Sequence, residues 1–133
     1  MAKVEALSIE QAVKLLPEEF RPAFIPQGAK QMVETPKGVM AFHQSSRLRD
    51  GGWKTSHPEE EIRKYVDYVL FAVGYEGILI LPRELLLSFF DRNYTSRYAN
   101  NGYPIHVFRK GDRFVWRGKN SNYMDLTDCF VKI

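Results

Sequence analysis

A chain of 133 residues with 44% hydrophobic and 14% aromatic residues has enough apolar content to bury a core, which excludes a disordered chain. Its net charge of +3 is too small a bias to name a partner, so the distribution of charge matters more than the total. A lone cysteine, Cys129, excludes an internal disulfide framework and a cysteine-based zinc cluster, and a reducing cytoplasm is the expected setting.

The opening MAKVEALSIEQ has no uninterrupted apolar core and no cleavage pattern, so no secretory leader is expected. Ser8 with Gln11 makes a capping box, and Ile9, Ala12, Val13 and Leu16 share a face, which predicts a helix. Pro17 interrupts or restarts it, and Arg21-Pro22 ends it. Residues 31 to 35 predict a short strand and 38 to 45 a better one, followed by a glycine-bearing loop, RLRDGG. Ser56 with Glu59 repeats the capping-box pattern. Pro58 suits a first turn and Glu59, Glu60 and Glu61 suit the helix dipole, so PEEEIRKY predicts a short helix.

VDYVLFAV, dense in β-branched and aromatic residues, reads as a central strand. GYEG turns the chain and ILILP returns as the hairpin partner, far too short to span a bilayer. RELLLSFF predicts a helix and NYTSRYANNG a loop. PIHVFR, the turn KGD and RFVWRG predict a second hairpin whose alternation leaves one wet face. CFVKI is a final short strand. No repeat, low-complexity tract or linker divides the chain. The expected fold is α+β: a single domain over residues 1–133, with a mixed, mostly antiparallel sheet flanked by two or three helices.

His43, His57 and His106 show no metal-ligand spacing. His43, beside Phe42, reads as a packed or surface residue, His57 as a helix-start residue, and His106 as the polar side of its hairpin. Asp67 stands beside Tyr68 at the mouth of the most apolar strand; a carboxylate buried there needs a partner, so it reads as a structural hydrogen-bonder rather than an acid in a site. Cys129 beside Phe130 reads as a core thiol. Walker spacing, a dinucleotide fingerprint and a G-x-S-x-G elbow are all lacking.

Two stretches carry the functional signal. VMAFHQSSR runs from apolar to polar and sets His43, Gln44, Ser46 and Arg47 together, with Arg49 and Lys54 following. Residues 91 to 123 hold Arg92, Arg97, Arg109, Lys110, Arg113, Arg117 and Lys119 against Asp91 and Asp112, a local excess of five positive charges. Tyr94, Tyr98, Tyr103, Phe108, Phe114, Trp116 and Tyr123 are interleaved with them. Several cations on one face suit phosphates, and aromatic rings stack on exposed bases.

The order of strand, glycine-bearing loop, PEEEIRKYVDYVLFAV and GILILPRELL, over residues 39 to 90, resembles a group within the PD-(D/E)XK, or restriction-endonuclease-like, nucleases. The resemblance places Gln44 at the Glu/Gln position of the catalytic element and Ser46 where a lysine belongs. Glu34 is the acid available on the preceding strand, Glu10 the helical acid, and Arg47 or Lys54 the cation that would stand in for the lysine. Hydrolysis of this kind needs at least two hard oxygen ligands around Mg²⁺ and a cation beside the attacking water. A serine at the lysine position and an amide at the carboxylate position imply a degraded centre.

The expectation is a nucleic-acid-binding module, DNA being the expected partner, with a nuclease-like fold and no working catalytic centre, as in an accessory part of a host-defence system. The contact residues expected are His43, Gln44, Ser46, Arg47, Arg49, Lys54, Arg92, Arg97, Arg109, Lys110, Arg113, Arg117 and Lys119. No cofactor and no membrane contact are expected, and a homodimer or larger complex stays open. The alternatives are an active nuclease, using Mg²⁺ with Glu34, Gln44 and Arg47 or Lys54, and a protein–protein adaptor.

Overall fold

The computed structural model describes residues 7–22, 30–43, 46–47, 52–91, 102–118 and 123–132. Helix α1 (Ile9–Leu15) starts at the expected capping box: the Gln11 amide donates to Ser8 Oγ at 3.2 Å and the Ser8 amide to Gln11 Oε1 at 2.9 Å. Pro17 stops it, a 3₁₀ turn (Glu18–Phe20) follows, and Arg21 Nε donates back to the Leu16 carbonyl at 3.0 Å.

Strands β1 (Lys30–Thr35) and β2 (Gly38–His43) form a hairpin. Its turn is held by Thr35 Oγ1, which donates to the Gly38 carbonyl at 2.8 Å and accepts from the Lys37 amide at 3.2 Å. Of the strand expected at 38 to 45, residues 38–43 form β2, and 44 and 45 lie outside the described residues. Ser46–Arg47 forms β3, which pairs with β4 (Trp53–Pro58) in a different sheet. Most of RLRDGG lies outside the described residues.

Strand β4 was not anticipated, and it displaces the second capping box. Ser56 sits in the ladder of β4 with β7 (Gly102–Lys110), whose register runs from Trp53↔Val107 to Pro58↔Gly102. Six paired residues outweigh a single side-chain cap. Helix α2 (Glu59–Lys64) consequently begins after Pro58 with no side-chain cap, held instead by its three N-terminal glutamates and the i,i+4 pairs Glu59–Arg63 and Glu60–Lys64.

β5 (Tyr68–Val73) and β6 (Gly77–Pro82) are the expected hairpin, and α3 (Arg83–Asp91) the expected helix. After the segment holding NYTSRYANNG, which lies almost wholly outside the described residues, β7 and β8 (Arg113–Arg117) make the second hairpin. Gly111, at φ +68°, takes the turn position that a side chain would strain. Three further described elements follow: β9 (Tyr123–Asp125), also unanticipated, a 3₁₀ turn (Thr127–Cys129) that takes Cys129 out of the expected last strand, and β10 (Phe130–Lys132).

The α+β class and the mostly antiparallel pairing are as expected, with one parallel pair, β2 with β5. The strands divide into two sheets, ordered β1-β2-β5-β6-β10 and β3-β4-β7-β8-β9. The first sheet is apolar on both faces. Met40, Phe42, Leu70, Ala72, Ile78 and Ile80 meet Ala12 and Val13 of α1 and Leu16 just after it. Ala41, Val69, Phe71, Leu79 and Leu81 turn the other way, into a core shared with α2, α3 and the inner face of the second sheet. That inner face contributes Trp53, Ile105, Val107, Phe114 and Trp116, with Trp116 fully buried and stacked on Phe89 at 4.1 Å. None of the helices among the described residues is long and apolar enough to cross a membrane.

Asp67 knots this arrangement, in the structural role expected of it. Its Oδ2 accepts from the Val39 amide at 2.9 Å, and its own amide donates to the Val39 carbonyl at 2.8 Å. Its carbonyl accepts from the Arg83 amide at 2.9 Å, while Arg83 Nη2 lies 3.3 Å from Oδ1 and Arg83 Nε donates to the Val66 carbonyl. Gly38, at φ +137°, lets the chain pass this carboxylate: a Cβ there would lie 2.5 Å from Asp67 Oδ2. Gly38→Ala is expected to lower stability by roughly 1–3 kcal/mol, from backbone strain and collision together. Urea denaturation checks this, and a change below about 0.5 kcal/mol, the range of an ordinary surface substitution, would show that the passage is loose.

Candidate functional site

The expected contact residues fall into three groups. Gln44, Arg49, Arg92, Arg97 and Lys119 lie outside the described residues, as do Tyr94 and Tyr98. The second group surrounds the end of β2. Glu34 sits opposite Val39 and His43 opposite Lys30, so Glu34 and the strand end occupy opposite ends of the β1–β2 ladder. The four-residue offset from Glu34's partner Val39 to His43 is roughly 13 Å of strand. Glu10 is on α1, across the first sheet from the shared core. Ser46 and Lys54 pair on the second sheet, and Arg47 pairs with Trp53. The polar run that is continuous in sequence is therefore divided between two sheets.

At that crossing the structure brings together two histidines that sequence spacing kept apart. His43 shares the Ala41 face of β2 and points at the second sheet, whose His57 shares the Trp53 face of β4. His43 Nε2 and His57 Nδ1 are 2.8 Å apart, with the rings edge to face. Both are buried, at 3% and 5% exposure. One ring must donate and the other accept, so the bond fixes complementary tautomers. Glu61, one turn into α2, sets Oε1 3.6 Å from His57 Nε2. A carboxylate–imidazole–imidazole row can relay a proton, and here it joins both sheets and α2. The row acts as a polar clasp between the sheets. Its signal in the sequence was invisible, because a 14-residue separation says nothing about two strands meeting across a core.

The third group forms a surface. Strand alternation sends Val107 and Ile105 inward and His106, Phe108 and Lys110 outward on β7. Phe114 and Trp116 point inward on β8, leaving Arg113, Val115 and Arg117 outward. The register places Lys54 opposite His106, Phe108 opposite Val115, Lys110 opposite Arg113, and Tyr123 opposite Arg117. The outer face of the second sheet thus gathers Lys54, Lys110, Arg113 and Arg117 against Asp125, a net of three positive charges among its described strand residues.

The cations lie on the rings. Arg117 Cζ is 5.3 Å from the Phe108 centroid and Lys110 Nζ 5.6 Å from that of Tyr123. Phe108, Lys110, Val115, Arg117 and Tyr123, with Arg109, line a hollow of about 260 Å³.

Arg109 borders this hollow but sends its guanidinium elsewhere. It lies on the inner-face row, pairs with Glu76 of the β5–β6 turn, and donates from Nε to the Gly111 carbonyl at 3.0 Å. A second hollow of about 630 Å³ opens there, with Asp112 and Lys132 on its rim and Phe114 and Phe130 in its floor. Its charges are mixed, unlike those of the outer face.

Comparison with protein-family models, curated proteins and solved structures finds no match to this chain. The chemistry must be argued from the side chains themselves. Arg113 pairs with Asp125, whose carboxyl also accepts from the Thr127 amide at 2.8 Å. The Thr127 hydroxyl first, then Arg113, holds the Asp125 carboxyl down at about 2. Burial, then neighbouring Asp128, pushes the Cys129 thiol up, away from the thiolate form. Among the described residues no three His, Cys, Asp or Glu side chains converge as a metal site.

Two outcomes are expected. His43→Leu and His57→Leu should each cost roughly 1–3 kcal/mol by leaving a buried imidazole nitrogen without its partner, while the double replacement should cost clearly less than their sum. Strictly additive losses in a denaturation cycle would remove the clasp. The second concerns Asp125, whose folded value lies below its ordinary 3.8. Its stabilisation is complete above about pH 4 and is lost as pH falls through about 2. Asp125→Asn should therefore flatten the fall of the denaturation midpoint between about pH 4 and about pH 2, and an unchanged slope would contradict the pairing.

Proposed function

We propose that this chain is a nucleic-acid-binding module, with DNA among its partners, and that it binds through the outer face of its second sheet. The observation that carries this reading is the meeting of Lys110, Arg113 and Arg117 with Phe108 and Tyr123 on one face while the apolar side chains of the same strands are in the core. Cations on a sheet face attract phosphates, and counterion release makes such binding fall steeply with salt. Rings beside them give bases an apolar surface to lie on that a plain cationic patch lacks.

Residues 39 to 90 fit, on the same proposal, a nuclease-like core that binds without cutting. What supports this is the spread of its acids. Glu34 lies a ladder away from the end of β2, and Asp67 is committed to the Val39 amide and Arg83. Glu61, beside the His43–His57 pair, faces an imidazole. Mg²⁺ needs several hard oxygens in an octahedral arrangement.

Replacing Lys110, Arg113 and Arg117 together with glutamine should weaken binding and lower the dependence of log K on log salt by roughly 2–3, about 0.7–0.9 for each phosphate that is no longer neutralised. Arg109→Gln should leave both quantities near wild type, since that guanidinium is held by Glu76 off the face. Fluorescence anisotropy across a salt series decides it. An unaffected triple variant, or an Arg109 variant as impaired as the triple, would move the interface elsewhere.

A further inference from the structure

We infer that the hollow on the outer face takes unpaired bases, so that the ligand is single-stranded nucleic acid rather than duplex. The inference rests on the nucleic-acid reading and adds to it the state of the strand. Its ground is the construction of the hollow. Val115, half buried, is the floor; Phe108 and Tyr123 flank it; Arg117 and Lys110 lie over those two rings. Tyr123 is 53% exposed, a large ring kept in water on a sheet face.

The rings of this arrangement have a use with an unstacked base and none with a paired one. A duplex turns its base faces inward and offers phosphates and groove edges, which a shallow hollow between two rings cannot reach. A single strand can swing a base out, lay its π-face on an aromatic ring, and leave its phosphate at the cation beside that ring. At about 260 Å³ the hollow lies just below the ~300–1,000 Å³ of sites that enclose whole small molecules. It has room for one planar group of a ligand whose remainder stays outside. Arg117 and Lys110 already occupy the ring faces as cation–π partners, so an incoming base displaces them toward its own flanking phosphates.

The charge pattern separates this ligand from an acidic peptide. A carboxylate chain would satisfy Lys110, Arg113 and Arg117 but would leave Phe108, Val115 and Tyr123 uncovered. The groups read here, base face and phosphate, are common to DNA and RNA.

The test uses the whole chain and four probes followed by fluorescence anisotropy at fixed salt: a twelve-nucleotide oligothymidylate, the matching oligouridylate, a duplex of equal charge and a polyglutamate of equal charge. Oligothymidylate is expected to bind at least about tenfold more tightly than duplex or polyglutamate, with oligouridylate within about tenfold of it, because stacking is available only to exposed bases. Phe108→Ala and Tyr123→Ala should each weaken oligothymidylate binding by roughly 5- to 150-fold, the equivalent of about 1–3 kcal/mol per stacked base, and leave duplex binding unchanged. Tyr123→Phe should retain wild-type affinity, and thermal melting confirms that each variant is folded.

Equal affinity for duplex and single strand, with the ring variants unaffected, would overturn this inference while leaving the cationic face as a duplex-binding surface. Binding of oligouridylate without oligothymidylate would overturn it too, since the sugar would then be the group recognised. If no nucleic acid binds, the nucleic-acid reading falls and this inference with it.

Discussion

The second sheet can bury only one of its faces, and the architecture follows from how that face is covered. Trp53, Ile105, Val107, Phe114 and Trp116 all turn inward against the first sheet and the helices α2 and α3. Fully burying a large apolar side chain is worth about 1.5–3 kcal/mol, so a slip of one residue in any of these strands would expose several such groups at once. The register is thereby pinned, and the pinning dictates that Phe108, Lys110, Arg113, Arg117 and Tyr123 share the opposite face. The candidate interface is the consequence of a packing constraint on residues that never touch it.

The same constraint explains why the two sheets need polar fastening at their junction. The consecutive strands β2 and β3 belong to different sheets, with a gap between their ladders. The His43–His57 bond spans that gap at 2.8 Å, and Glu61 extends it to α2. In an interior of low dielectric such a bond is costly to leave half made, which favours one relative placement of the sheets over sliding alternatives. At the other end of β2, Asp67 does a comparable job by tying Val39 to Arg83, and Gly38 is what makes room for it. Both polar groups fix the placement of the elements around β2.

The two hollows illustrate how charge is sorted by strand alternation. Arg109 and Lys110 are neighbours in sequence, yet the first reaches Glu76 and a mixed-charge rim while the second joins the cationic face. Counting basic residues along the chain could not divide them. An excess of charge becomes a surface only when the fold places it on one side.

The elements with strong local signatures were legible from the sequence: the Ser8–Gln11 cap, the VDYVLFAV and ILILP hairpin, the RELLLSFF helix, the alternation of the second hairpin, and from these the α+β class. Each of those signals depends on neighbours within a few residues, where hydrogen-bond competition and burial period are decided locally. The weak spots had a common physical cause. Ser56 looked like a cap because its neighbours suit one, but a ladder to residues nearly fifty positions later outweighs it. Tyr123 stood among the interleaved aromatics, yet its place beside Arg117 required β9, a strand of three residues that carries no periodicity of its own. The pairing of His43 with His57, and the parting of Glu34 from the end of β2, belong to the same class. They depend on which strands meet and in what register, and that is settled by the burial of the whole core rather than by any stretch of the chain taken alone.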